Sequence, residues 1–376
     1  MLQRFPYRIR LCNFRLILYV CLLTGIGVLL IQSAGPGYER RQAAGFVIGM
    51  VSLLVFALLD YKRLLAVGWG IYFGAVLLLV LVILMGAVSG GAGRWLSLGP
   101  IRFQPSELTK ILLIWFFAWL FEQKQEKMGD IRFVSVFLIL GAVPVFLILE
   151  QPDLSTSIVV MWMFLGILFL AGIHRRILLY GAALGLPAAG VFLFLVTRLN
   201  QQILNEYQYR RIMAWLSPSA WSQDSYQQRN SIMAFASGGL WGKGLGTDST
   251  LSVKNGNFLP EPHTDFIMAV AGEELGFWGC SLILFLLFLI TAECIWIGFR
   301  TRDLTGKLIC GGMAALISGQ AFVNLCVVTG LMPNTGLPLP FVSYGLTSLV
   351  SLYMGIGVVV NVSLERTGRD RVFLRS

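Results

Sequence analysis

The chain has 376 residues, 56% of them hydrophobic and 13% charged, with a mean hydropathy of +0.75. That balance excludes a soluble globular domain and points to an integral membrane protein. The net charge of +10 is spread over short basic clusters between apolar runs, which excludes a nucleic-acid-binding patch, and six cysteines without CxxC spacing beside two histidines exclude a disulfide framework and a zinc site.

Apolar runs at 16–33, 42–59, 64–88, 107–121, 133–149, 154–173, 177–196, 266–299, 308–332 and 342–362 predict an all-α, polytopic bundle of ten membrane spans in a single domain, 1–376. The first run follows Arg4, Arg8, Arg10 and Arg15, as a signal peptide would. Its apolar core exceeds a usual signal core and the next span starts within ten residues, so it reads as a retained span. With ten spans both termini share one side. That side carries eighteen Lys and Arg against four in the short loops opposite, namely Arg40, Arg41, Arg94 and Arg102. The positive-inside rule therefore makes the termini cytoplasmic and turns the 69-residue segment 197–265 outward. Gly45 with Gly49, Gly70 with Gly74 and Gly181 with Gly185 have the spacing of close helix crossings, read as ordinary bundle packing. No strong internal repeat is present, which disfavours an inverted-repeat transporter.

Ionisable groups within or at the rim of a span are functional candidates by default. Glu107 and Lys110, in "QPSELTK", share one helix face and are either a site or a mutually neutralising pair. Asp153, in "QPDLSTS", opens the sixth span as a cap or a catalytic group. Asp265 follows "PEPHT" at the mouth of a run that, as one continuous helix, would be about 51 Å long. Asp265 is therefore expected at the outer interface facing water or a polar cavity, with Glu273 and Glu274 two turns deeper. The segment "SGGLWGKGLG" (237–246) is a flexible turn or, lacking a GK[ST] ending, a weak phosphate-binding loop.

Together these stretches resemble the SEDS family, which comprises RodA, FtsW and SpoVE, over nearly the whole chain. The resemblance is carried by "GRWLSLGPIRFQPSELTK" (93–110), "QPDLSTS" (151–157), "SYQQRNSIMAFASGGLWGKGLG" (225–246), "LPEPHTDFIMAVAGEELG" (259–276) and "GLPLPFVSYGLTSL" (336–349), with Pro338 and Pro340 closest to the RodA branch. Ser155 and Leu346 stand where the family usually has glycine.

The resemblance implies a polymerase that joins lipid II into peptidoglycan strands in the bacterial inner membrane, beside a class B penicillin-binding protein. It assigns Asp265 as the essential aspartate and Arg41, Glu107, Lys110 and Asp153 to the outward cavity. On this reading Asp265 is the general base for the acceptor sugar hydroxyl. Arg41, Lys110 or Arg210, or a divalent cation (Mg or Mn) held by Asp265 or Asp153, would steady the leaving pyrophosphate. The alternatives are a lipid II flippase and a non-catalytic scaffold that activates a transpeptidase.

Overall fold

A computed structural model describes residues 12–89, 92–98, 101–127, 131–173, 206–246 and 261–369, with scattered positions at 183–195 and 252–259. The membrane helices in chain order are α1 (Phe14–Ala34), α2 (Tyr38–Leu58), the short α3 (Tyr61–Leu65), α4 (Gly68–Met85), α5 (Pro105–Gln123), α6 (Ile131–Glu150) and α7 (Leu154–Leu170). Two helices of the long polar segment follow, α8 (Glu206–Leu216) and α9 (Ser222–Ser237). The chain then returns through α10 (Ile267–Arg300), α11 (Leu304–Val328) and α12 (Leu346–Arg369). Among the described residues, nine of the ten predicted apolar runs fall on helices and seven helices are long and apolar enough to cross a membrane. The run at 177–196, with the Gly181–Gly185 pair, lies almost wholly outside the described residues.

Helices α11 and α12 are mostly buried and form the centre, with α5 against them. Helices α1, α2, α4 and α6 surround them and turn bare apolar side chains such as Val47, Leu84 and Phe146 outward. A water-soluble fold would hide those side chains; a bilayer solvates them. The Gly45–Gly49 spacing serves packing within the bundle. A Cβ on Gly49 would lie 2.9 Å from the Tyr353 ring, and one on Gly357 would lie 2.6 Å from the Leu53 carbonyl, so α2 and α12 touch nearly backbone to backbone. Gly74 meets nothing within 4 Å and marks no crossing.

Two features differ from the sequence reading. Between α4 and α5 the chain forms a small antiparallel sheet of β1 (Ala87–Ser89), β2 (Ala92–Leu98) and β3 (Ile101–Phe103), in that order. The expected continuous 51 Å helix is also wrong, because Gly276 breaks α10 with φ 66° and ψ −162°. Residues 267–275 form a buried half-helix, and residues 277–300 make the span.

The break explains the glycines of 237–246, which are neither a loose turn nor a phosphate cradle. Lys243 N donates to the Glu273 carbonyl (2.9 Å), Gly244 N to that of Glu274 (3.0 Å), and Phe277 N to that of Gly239 (2.9 Å). These bonds satisfy backbone groups that the interrupted helix leaves open. A Cβ on Gly238 would sit 1.9 Å from the Gly272 carbonyl oxygen, and one on Gly242 2.2 Å from that of Glu274, so only glycine allows the approach. Replacing Gly276 with Ala forces a side chain into a glycine-only backbone region, about 1–3 kcal/mol from strain alone. The new methyl would also lie 2.3 Å from Gly242 N. A clear drop in the thermal midpoint of purified G276A is the expected result, read by loss of monodisperse protein in detergent.

Candidate active site

Asp265 lies on the turn just before the half-helix and remains partly exposed. No side chain caps that helix, so the Asp265 carboxylate is not consumed in holding structure. It faces two arginines across a glycine. A Cβ on Gly336, whose φ is +74°, would lie 3.2 Å from Asp265 Oδ2, 3.5 Å from Arg211 Nη1 and 3.8 Å from Arg94 Nη1. Glycine leaves the point where these charges converge open.

Each arginine is held by the backbone. Arg94, on β2, donates from Nε to the Gln151 carbonyl (3.4 Å) and from Nη2 to that of Pro152, and its Nη1 lies 3.8 Å from Asp153 Oδ1. Arg211, on α8, donates to the Asn334 carbonyl (3.0 Å). Both guanidinium groups approach the Tyr207 ring, Arg211 at 4.3 Å and Arg94 at 5.9 Å from its centroid. The i, i+4 spacing of Tyr207 and Arg211 puts both on one face of α8.

Asp153 both caps and pairs. It accepts from Thr156 N at 3.2 Å, and the Ser155 hydroxyl lies 3.0 Å from its Oδ1 and 3.0 Å from the Thr335 carbonyl oxygen. Ser155, the departure from the usual glycine, thus links the α7 cap to the 333–336 segment of the site. A small, open groove lies beside the cluster, with Arg94, Tyr207, Arg211, Asn334 and Thr335 in its wall. Asn334 Oδ1 and Thr335 Oγ1 are buried without a hydrogen-bond partner, so the wall offers polar groups that a ligand would satisfy.

Burial raises the Asp265 pKa from 3.8 to about 6, against the opposing pull of Arg211 and Arg94. Burial likewise lowers the Arg211 pKa, with Tyr207 and Asp265 acting in the other direction.

The remaining expected residues fall elsewhere. Glu107 and Lys110 do not line this groove; they form a buried ion pair of 2.8 Å, at 2% and 1% exposure, inside the helix core. Lys110 donates to Gln320 Oε1 (3.0 Å), and Gln320 donates to the Pro338 carbonyl (2.9 Å). One turn along α11, the Asn324 amide donates to the carbonyls of both Asp265 (2.9 Å) and Leu337 (2.7 Å). Arg210 turns away from the cluster to an exposed pair with Asp224 (3.1 Å), because neighbouring positions on a helix point about 100° apart. Arg41 is exposed on the first turn of α2 and touches no member of the cluster.

Sequence reasoning missed Arg94, Arg211 and Tyr207. Arg94 lies in the motif 93–110, where an arginine in a short loop is equally a topology charge, and nothing in the sequence sets Arg211 apart from its neighbour Arg210. Glu273 and Glu274 are now placed: Glu273 accepts from Lys243 (2.7 Å) and Glu274 from the Ser33 hydroxyl (2.5 Å), fixing the half-helix that follows Asp265.

A family model described as "Cell cycle protein", covering FtsW, RodA and SpoVE, matches residues 14–368. The chain belongs to this SEDS family. "Peptidoglycan glycosyltransferase MrdB" of Escherichia coli K12 is 35% identical, with 93% of each chain covered. "Probable peptidoglycan glycosyltransferase FtsW" of Geobacter metallireducens is 34% identical, covering 94% of this chain and 95% of that one. A solved chain from a peptidoglycan synthase complex that coordinates polymerization and crosslinking has a TM-score of 0.78 at 28% identity, covering 95% of this chain. The rod-shape-determining protein RodA of Thermus thermophilus has a TM-score of 0.69 at 27% identity, over the same share. The chain is thus a polytopic helical membrane bundle of the SEDS type.

Proposed function

We propose that the chain is a peptidoglycan glycosyltransferase that polymerises lipid II, serves cell elongation and shape, and works beside a class B penicillin-binding transpeptidase. The names of the relatives, MrdB and FtsW, support the reaction class. The "GLPLP" motif favours the elongation branch. The reading sets the enzyme in the bacterial inner membrane with both termini in the cytoplasm and the Asp265 cluster outside, where the lipid II sugars lie.

The observation that carries the mechanism is the convergence of Asp265, Arg211 and Arg94 over Gly336. Asp265 takes the proton of the acceptor's 4-hydroxyl as that oxygen attacks the donor's anomeric carbon. The new glycosidic C–O bond forms while the bond from that carbon to the pyrophosphate oxygen breaks, and the pyrophosphate leaves with the electron pair. Attack opposite the leaving group inverts the anomeric centre. Arg94 and Arg211 meet the charge that develops on the pyrophosphate, and Tyr207 holds the two guanidinium planes in place.

A divalent cation does not fit these side chains alone. Among the described residues no three acidic, histidine or cysteine side chains are placed to share one, and Asp153 and Asp265 both face guanidinium groups. Arg94 and Arg211 are placed to supply positive charge, and Asp153 or Asp265 would hold a divalent cation only together with phosphate oxygens of a ligand.

The test is polymerisation of purified lipid II in detergent, where a flippase has no compartments to connect and shows no product. R211A is expected to lose about 10²–10³-fold in rate, the usual effect of removing one charge-stabilising donor. R210A, which removes only an exposed pair with Asp224, should stay within about twofold of the wild type. Equal losses in the two variants would take Arg211 out of the reaction.

A further inference from the structure

Trp241 is 81% exposed, more than any other large apolar side chain among the described residues, and it lies beside Leu240 at 60% and near Leu245 at 52%. Three such side chains left bare on a polar outer segment need a solvent other than water. Their height in the molecule can be read from their backbone partners. The Trp278 amide donates to the Leu240 carbonyl (3.3 Å) and the Phe277 amide to that of Gly239 (2.9 Å), so the loop sits level with the first turn of the 277–300 span.

That turn lies at a membrane boundary. Phe277 and Trp278 are bare, at 57% and 58%, and their ring centroids are 5.8 Å apart. At the other end Trp296, 53% exposed, carries the Arg300 guanidinium 4.2 Å over its ring. Trp278 and Trp296 are eighteen positions apart in the sequence. At 1.5 Å per residue that is about 27 Å, the thickness of a hydrocarbon core bounded by its two aromatic belts. Leu282, Phe285 and Phe288 lie bare between them.

We propose that the glycine-clamped 238–246 loop is a membrane-interface anchor, with Leu240 and Trp241 seated in the headgroup–acyl boundary of the leaflet on the Asp265 side. An indole suits that depth, having an apolar body and one polar N–H. The clamp gives the anchor its purpose. The loop is bonded through Glu273 and Glu274 to the half-helix that begins just after Asp265, so the lipid surface fixes the height of the carboxylate relative to the headgroups.

The test uses the full chain in vesicles of phosphatidylcholine and phosphatidylglycerol, with and without bromine at the 6,7 positions of the acyl chains. The tryptophan emission of W241F is subtracted from that of the wild type, which isolates residue 241. The substitution is made on a side chain that is 81% exposed, and W278F serves as a depth reference for the same leaflet. The expected result is at least about twofold quenching of the residue-241 component by brominated lipid, close to that of residue 278, with little quenching by aqueous iodide. Quenching by iodide but not by brominated lipid would put Trp241 in water and overturn the anchor. Quenching by neither would show it covered by protein, a second copy or a partner subunit, and would overturn it equally.

Discussion

Replacing Asp265 with Asn is expected to lower polymerisation of purified lipid II by about 10²–10⁴-fold, the usual contribution of a positioned general base. Asn keeps the size of the side chain but cannot take a proton at neutral pH. Because Asp265 caps no helix, the variant should fold, insert and elute as the wild type does. The acid limb of the pH profile supplies a second readout. Burial favours the neutral acid and lifts the Asp265 pKa to about 6, so the base form is present above that pH and is lost as pH falls through it. The wild-type rate should then fall by about tenfold per unit below pH 6, whereas the residual rate of D265N should not follow that limb. Near-normal product from D265N would remove Asp265 from the chemistry. A midpoint near 4 would remove burial as the cause of its tuning.

Lys110→Met should be strongly destabilising in the helix core. It leaves the Glu107 carboxylate, 2% exposed, without its cation, and breaking a buried pair from one side typically costs about 3–5 kcal/mol. Removing both charges in E107Q/K110M should recover most of that loss in a thermal melt. Activity then separates two roles. If Lys110 acts by holding Gln320 and through it the Pro338 carbonyl, the double variant should regain activity in step with stability. If Lys110 meets substrate, the double variant will be stable and inactive. A single variant as stable as the wild type would show that the pair does not determine folding.

The spans were legible because a bilayer demands long apolar runs and leaves little freedom in where they start. Asp153 and Asp265 were legible as carboxylates at the mouths of such runs, where ionised groups are costly without a purpose. The arginines opposite them were not, for a physical reason. An arginine in a short loop reads equally as a topology signal, and only the β2 strand and the face of α8 bring Arg94 and Arg211 together. Lys110 stayed open between a site and a pair, because a charge within a span suggests a cavity while Glu107 three residues away can neutralise it; the structure shows the pair. The break at Gly276 left one sign, the length of the run, which by itself says only that Asp265 stands at the outer interface. A 34-residue helix is too long for the membrane it crosses, and the surplus turns had to go somewhere other than straight up.

One amide ties the two halves of the site's rim to a single helix. Asn324, 1% exposed on α11, grips the main chain at Asp265 with one hydrogen and at Leu337 with the other. A piston-like shift of α11 would therefore carry the base and the glycine floor opposite it as one piece. Their spacing is preserved while their position against Arg94, mounted separately on β2, changes.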